Sequence, residues 1–405
     1  MDFGSYTLLI VQILFLVWCG VTINKLFRQQ VKNLQFSLGR HVNILFVFGV
    51  YSALSFDYHS NVIAACVIPA FLLALSNNSL KIAWFWLLFI LAGKENLSLW
   101  MIFVCIGLLV EYRKSKQVSY HLVAMVLVSI VWFVGVTGFI MPAFSENGAY
   151  PHFHYSVLGE TSGDAIKFLL MHPIESLKLL FSNHTGLPEA DHVKPEFIAL
   201  MCYAGLPLLI FRPAYLIMMI PLVFQKFYHD DFFKWGIYAQ YSIEFAPIVA
   251  IGVVSAVSGF NNNKFRLLIL LVVIAGNLRA TRYLFKEKTR LWQEKNKIDP
   301  FRMSHYRRPF PVEQFRKAID LIPEDAIVSC QSNFQPHISL RDKVYQFPDI
   351  NDAQFILLTD WAGSYPLERK DFDCWMDSLH RSDDWNIEYE NVWVVLFGRK
   401  NSVAQ

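Results

Sequence analysis

Through the first 284 positions, apolar residues run in long blocks broken only by brief polar interruptions. A hydrocarbon core about 30 Å thick needs around 20 apolar residues per helix. The blocks supply about ten candidate spans, near 5–24, 41–55, 61–76, 80–92, 97–110, 119–143, 197–211, 213–227, 240–258 and 266–284. At about 1.5 Å per residue a run of fifteen covers only roughly 22 Å, so the second to fifth must extend into polar residues or be partly re-entrant. The pattern predicts a polytopic α-helical membrane protein over 1–284.

The rhythm changes after a basic linker, 285–308. Residues 309–400 read as a small soluble α/β domain, with a helix over Val312–Leu321 ended by Ile322-Pro-Glu-Asp and a second near Arg369–His380. Short strands are expected at Ala326–Ser329, Lys343–Gln346 and Gln354–Leu358. Trp385–Tyr389 and Val392–Phe397 form a hairpin about Glu390-Asn391. No Gly-rich phosphate loop, paired-Cys motif or Gly-x-Ser-x-Gly occurs there, so a lid or docking domain is expected rather than an independent catalytic one. The interruption 144–195 is too long for a bare connection. Its apolar positions, Ala165 to Leu170 and, past Pro173, Ile174 to Phe181, predict two short amphipathic helices lying at the membrane interface, either as a binding surface or as a cap on the bundle.

Composition agrees with the pattern. Of 405 residues 54% are hydrophobic and 17% charged, against the ~25% charged of ordinary soluble domains, which excludes a soluble enzyme as well as disordered, collagenous and disulfide-scaffold classes. Four cysteines lie in apolar stretches. Cys330 and Cys374 are expected as free thiols, with a disulfide the alternative if the tail is extracytoplasmic. Met1-Asp-Phe-Gly lacks the basic segment of a signal peptide, so the first apolar run is expected to be retained.

Charge sets the expected orientation. Lys25, Arg28, Lys32 and Arg40, then Lys81, then Arg113, Lys114 and Lys116, then Arg212, then Lys264 and Arg266 occupy every second loop, eleven bases against the single acid Glu111. By the positive-inside rule these loops face the cytoplasm. Asp57 and His59, Lys94 and Glu95, the loops 144–195 and 228–239 and the tail then share the outer face of a cell (plasma or inner) membrane. Arg279 and Arg282, at the outer end of the last span, are expected to snorkel to headgroups.

Three polar groups carry candidate chemistry. Asp57-Tyr-His59 pairs a carboxylate with an imidazole in a turn, a set that would hold a divalent ion such as Mg²⁺ or Mn²⁺, or a phosphate through it. Lys94-Glu95-Asn96 places opposite charges beside the membrane, where such groups mark sites, although a hydrated connecting turn reads the same. In Gln240-Tyr-Ser-Ile-Glu244, Tyr241 and Glu244 are three apart and would share a face if the helix begins there. Histidines 152, 154, 172, 184 and 192 lack zinc-ligand spacing and are expected to be structural or on the surface.

Several segments in order complete the picture: Leu54-Ser-Phe-Asp57-Tyr-His59, Ala92-Gly-Lys94-Glu95-Asn96, Tyr155-Ser-Val-Leu158-Gly159, Leu206-Pro-Leu-Leu with Arg212-Pro213, and Pro336-His337-Ile-Ser-Leu-Arg341-Asp-Lys-Val-Tyr345-Gln-Phe347-Pro348. The series resembles the prokaryotic predicted-membrane-protein family catalogued as domain of unknown function two-thousand-seventy-nine, over nearly the whole chain. That family is similar in architecture to the type-C glycosyltransferases, which take sugar from a polyprenyl-phosphate donor on the outer face and carry a terminal soluble domain. The resemblance implies an acidic metal or phosphate contact at Asp57 and His59. It also implies two departures. Met1 begins at what resembles the family's second span, so an amino-terminal unit bearing the catalytic carboxylate is expected to be missing, with an upstream-encoded fragment as its candidate partner. Gln240-Tyr241 stands where His-Tyr is expected.

The expected function is therefore a glycosyltransferase-like membrane protein that binds a polyprenyl-phosphate-linked sugar through Asp57, His59, Lys94, Glu95, Tyr241 and Glu244, inactive alone if the amino-terminal loop is missing. The alternatives are a non-catalytic membrane scaffold or a lipid or solute transporter. No nucleic-acid partner is expected. Charges cluster on one face and largely avoid the spans, which disfavours the transporter.

Overall fold

The computed structural model describes residues 6–30, 49–55, 57–145, 150, 152–237, 239–285, 301–307 and 310–400. Residues 41–48 of the expected second span, the bases Lys32 and Arg40, and residues 286–300 of the linker lie outside the described residues. The chain divides into two compact units, Val11–Phe301 and Met1–Ile10 with Arg302–Gln405.

The larger unit is helical. Among the described residues three helices are long and apolar enough to cross a membrane: Thr7–Gln29, Lys116–Ala143 and Asn263–Phe285. Each leaves an apolar face open, with Leu14 62%, Val131 72% and Val272 63% exposed. Such a face is tolerable where lipid chains replace water. Ser60–Ser76, Leu80–Leu91, Pro213–Phe227 and Phe245–Ser258 are shorter apolar helices. Ser60–Ser76 and Phe245–Ser258 are buried on almost every side, as a helix apolar all round must be when other helices enclose it. Glu95–Glu111 packs between Lys116–Gly135 and Pro213–Phe227. The described chain is thus a membrane protein of several apolar helices, three of them long enough to cross a membrane and others shorter. Helices apolar on every side give no periodic signal, so their ends are invisible in the pattern.

Small residues set the helix contacts. A Cβ on Gly107 would stand 2.5 Å from the Ala214 carbonyl oxygen and 2.8 Å from the Met218 side chain, and one on Gly276 would meet the Tyr203 carbonyl. Gly205, at φ +100°, breaks the expected 197–211 span into the helix Val193–Tyr203 and the tight turn Leu206–Phe211.

Polar side chains fix the register at the ends. Gln12 accepts from the His59 amide at 3.1 Å, while Gln29 meets Ser76 at 2.9 Å and Asn77 at 2.8 Å. Both pairs of partners are seventeen residues apart, so the first helix and Ser60–Ser76 run parallel, side by side. Their starts share one end, termed here the Lys94 face. At the other end Arg212 donates to the Ser255 carbonyl at 3.3 Å, and Arg266 donates to Ser258 at 2.9 Å and to Phe260. These guanidiniums cap the last carbonyls of Phe245–Ser258, where the helix dipole favours cations. Arg279 lies over the Tyr203 ring, 5.5 Å from its centroid, so an aromatic face receives it.

The tail carries a five-stranded sheet, order β2-β1-β3-β5-β4, from β1 Val328–Cys330, β2 Val344–Gln346, β3 Phe355–Leu358, β4 Trp385–Glu390 and β5 Val395–Arg399. The first three are mutually parallel; β5 is antiparallel to β3 and to β4. Alternation sends Leu357 and Leu396 to one face, against Ala318 and Ile322 at the end of helix Val312–Asp320. Ile356, Leu358, Val395 and Phe397 go to the other, against Phe372 and Leu379 of helix Arg369–Arg381. The expected strands, hairpin and two helices are all present. Cys330 is buried and Cys374 exposed, and both are free.

Candidate functional site

Three helices begin at the Lys94 face: Ser60–Ser76 after His59, Glu95–Glu111 after Lys94, and Phe245–Ser258 after Glu244. None has a side-chain cap on its first amides. The Val62, Leu97 and Ala246 amides turn back onto the His59, Lys94 and Ile243 carbonyls, and each start presents the positive end of a helix dipole, one element of an anion site. The starts are neighbours. Asn61 donates to the Glu244 carboxylate at 2.5 Å, and a Cβ on Gly93, beside Lys94, would lie 3.9 Å from Ser60. Lys94 is exposed, and its charge is felt at both His59 and Glu244. A lysine at a helix N-cap is repelled by the dipole, so the same cation is disfavoured there unless an anion joins it.

Around these starts the polar groups are tied together. Asn96 donates to Gln225 at 3.3 Å, and Tyr150 donates to Glu95 at 3.5 Å. Burial, then the Glu95 charge, raises the Tyr150 hydroxyl above the usual tyrosine range. Lys226 is buried, and its ammonium donates to the Gly236 carbonyl at 2.6 Å, the Tyr241 carbonyl at 3.1 Å and the Ser242 hydroxyl at 3.1 Å. Three acceptors match its three donors. Glu244 is buried, and burial raises its carboxyl above the usual range, opposed by the Asn61 hydrogen bond and by the Lys226 and Lys94 charges.

The loop after Pro213–Phe227 forms the rest. Asp230 accepts from the Ser156 amide at 2.9 Å and its hydroxyl at 2.7 Å, which fastens the 150s segment to this face. The buried His229 ring accepts the Asp231 amide on Nδ1 at 2.9 Å and meets Lys234 Nζ at 2.8 Å through Nε2. Trp235 donates to the His229 carbonyl at 2.8 Å. Lys194 lies over the Trp235 ring at 4.2 Å and donates to Leu179 at 2.5 Å and Ser182 at 2.8 Å, with His184 Nδ1 at 3.1 Å. Burial pulls Lys194 down to about 7, and burial together with Lys194 pulls His184 down to about 4. Two short helices, Ser162–Met171 and Pro173–Leu179, stand in the expected place. Ala165 and Phe168 pack toward Tyr228, while Ile166, Leu170, Met171, Ile174, Leu177 and Phe181 stay exposed.

His59, Lys94, Glu95 and Glu244 therefore come together at this face, with exposed Asp57 beside His59. Burial, then Lys94, lowers the His59 imidazole, and Asp57 opposes them. Tyr241 differs from expectation. Residues 239–244 form turns, and the helix begins only at Phe245, so Tyr241 and Glu244 do not share a helical face. Tyr241 instead lies beneath Lys234, 5.5 Å from ring centroid to Nζ. Among the described residues no group of three or more His, Cys, Asp or Glu stands close enough to hold a metal ion. Asp57 offers one exposed carboxylate, which fits Mg²⁺ only as an ion that keeps its waters and arrives on a phosphate.

Sequence reasoning passed over Asn61, Lys194, Lys226, His229 and Lys234. A signal was present for three of them. Lys226 interrupts an apolar helix, and His229-Asp-Asp-Phe-Phe-Lys234 is a dense polar run between two apolar blocks. A protein-family description, Predicted membrane protein (DUF2079), matches residues 2–387. No curated protein and no solved structure matches the chain.

Proposed function

This chain belongs to the DUF2079 family of predicted membrane proteins, and from that membership we propose a glycosyltransferase-like protein that takes a polyprenyl-phosphate-linked sugar at the outer headgroup level of a cell membrane. The observation that carries the reading is the meeting of three uncapped helix starts with exposed Lys94. A phosphate there would receive amide donors and a cation together. The exposed apolar stripe of the two short helices would lie among headgroups and acyl chains, and the open faces of the long helices would take the isoprenoid chain. Asp57 with His59 would meet a divalent cation carried by the phosphate. The alternating bases support placing this face and the tail outside the cytoplasm.

Binding tests the reading directly. The full chain in lipid nanodiscs should bind a polyprenyl phosphate saturably, with or without Mg²⁺ or Mn²⁺, and Lys94→Ala should weaken it about tenfold, or ~1.4 kcal/mol. Absence of saturable binding in all these conditions would sink the proposal in favour of a membrane scaffold.

A further inference from the structure

The hydrogen bonds of His229 restrict where its protons can be. Nδ1 accepts from the Asp231 amide at 2.9 Å, so the neutral imidazole carries its proton on Nε2. That nitrogen is 2.8 Å from Lys234 Nζ. An Nε2–H needs a lone pair to donate to, and an ammonium has none. The contact is satisfied when Lys234 is a neutral amine.

The surroundings favour that state. Asp230 and Asp231 are the nearby acids, but Asp230 is engaged by Ser156 and Asp231 accepts from the Phe233 amide at 3.0 Å. Lys94, His154 and His184 face the pair from other segments, and the rings of Tyr155 and His154 lie 5.3 and 5.6 Å from the His229 ring. Burial, aided by Lys94 and opposed by Asp231, holds Lys234 below the usual lysine range, and burial above all holds His229 down to about 4. Lys234 is half-buried, open enough for a substrate group to reach.

We propose that His229 and Lys234 form a neutral imidazole–amine pair that is the proton acceptor of the Lys94 face, with the hydroxyl of a sugar acceptor as the group it deprotonates. This role rests on the phosphate reading above, whereas the neutral pair rests on its own geometry. In the step, the Lys234 amine leaves its contact with the His229 Nε2–H, its one lone pair takes the hydroxyl proton, and the freed oxygen bonds the anomeric carbon. The bond from that carbon to the phosphate oxygen breaks with its electron pair. The lipid phosphate remains at the helix starts, and the Lys234 ammonium then returns its proton to water.

Competitive trace acetylation with mass spectrometry, on the full chain in nanodiscs from about pH 5 to about pH 10, reads the pair. An ordinary lysine is neutral in only roughly one molecule in 2,500 at pH 7, so Lys234 should label more than about tenfold faster than exposed Lys94, Lys167 and Lys178. In His229→Asn the side-chain oxygen still accepts the Asp231 amide, as in an Asx turn, but the far nitrogen is gone, and the fast labelling should be lost. Lys234 labelling with the exposed lysines, or fast labelling that survives His229→Asn, overturns the pair. Polyprenyl phosphate should slow Lys234 labelling, because a neighbouring anion favours the ammonium. Lipid that binds without slowing it overturns the proton-acceptor role. A chain that binds no lipid, yet labels fast at Lys234, removes the phosphate reading and the acceptor role together and leaves the pair standing.

Discussion

Lys226 shows how one side chain organises a loop. Its ammonium closes three hydrogen bonds to Gly236, Tyr241 and Ser242; Lys226→Met would leave Gly236 only the Ser242 hydroxyl at 3.3 Å and take the lysine donor from Tyr241 and Ser242, so it should destabilise the helical unit by roughly 1–3 kcal/mol, readable as earlier unfolding in a denaturing-detergent titration. His184 and His229 make stability pH-dependent. Each is held to about 4 in the folded chain, against ~6.5 when unfolded. As pH falls from about 6.5 to about 4 the unfolded chain takes up protons that the folded chain does not, so stability should fall across that window and level off below it. A flat unfolding temperature between those values would contradict the burial of these rings. At this scale the sequence exposed the residues whose charge breaks an apolar run, Lys94 and Glu95 above all. It hid Asn61 and Lys194, whose importance comes only from what long-range folding places beside them.

Among elements, glycine contacts decide how closely the helices approach. Gly107→Ala should cost about 1–3 kcal/mol, because its Cβ would meet the backbone of the neighbouring helix at Ala214 and the Met218 side chain, and a main chain yields less than a side-chain tip. A substitution at Gly135, which has open space around it, should cost less in the same assay. Legibility differed between the two units for a physical reason. In the tail the two helices bury one face only, so a period of three to four residues survives in the sequence, while β3 and β5, covered on both faces, read as short apolar runs between polar turns, and all four could be read. In the bundle, helices such as Phe245–Ser258 are apolar all round. With no polar stripe to mark an edge, the helix start was placed near Gln240 instead of Phe245, and Tyr241 was assigned a helical neighbour it does not have.

For the molecule as a whole, the alternating bases have two roles that sequence alone merges. Arg212 and Arg266 end a helix by binding its last carbonyls, and the same positive charge would hold that end in the cytoplasm. Alkaline phosphatase fused after Gln405 should be active and fused after Lys116 inactive; activity only at Lys116 would reverse the orientation. The placement of polar groups at one end was legible because charge is costly in hydrocarbon. Which charges pair there was not, since pairing depends on how the helices stack.

The seventeen-residue bracket between Gln12 and Gln29 also acts as a gauge of membrane thickness. Between its two polar ends lie about 25 Å of helix, and the Leu80–Leu91 helix covers only ~18 Å. For these two segments a hydrocarbon layer of about 30 Å is a negative hydrophobic mismatch, which local thinning of the bilayer would relieve while the longer Lys116–Ala143 helix tilts. Thinning would draw headgroups inward toward the amides at the Lys94 face, so the protein would deform the membrane to bring a lipid phosphate within reach. Unfolding should then be slower in short-chain lipids of about 14 carbons than in those of about 20, an order that membranes of equal headgroup and differing chain length would reveal.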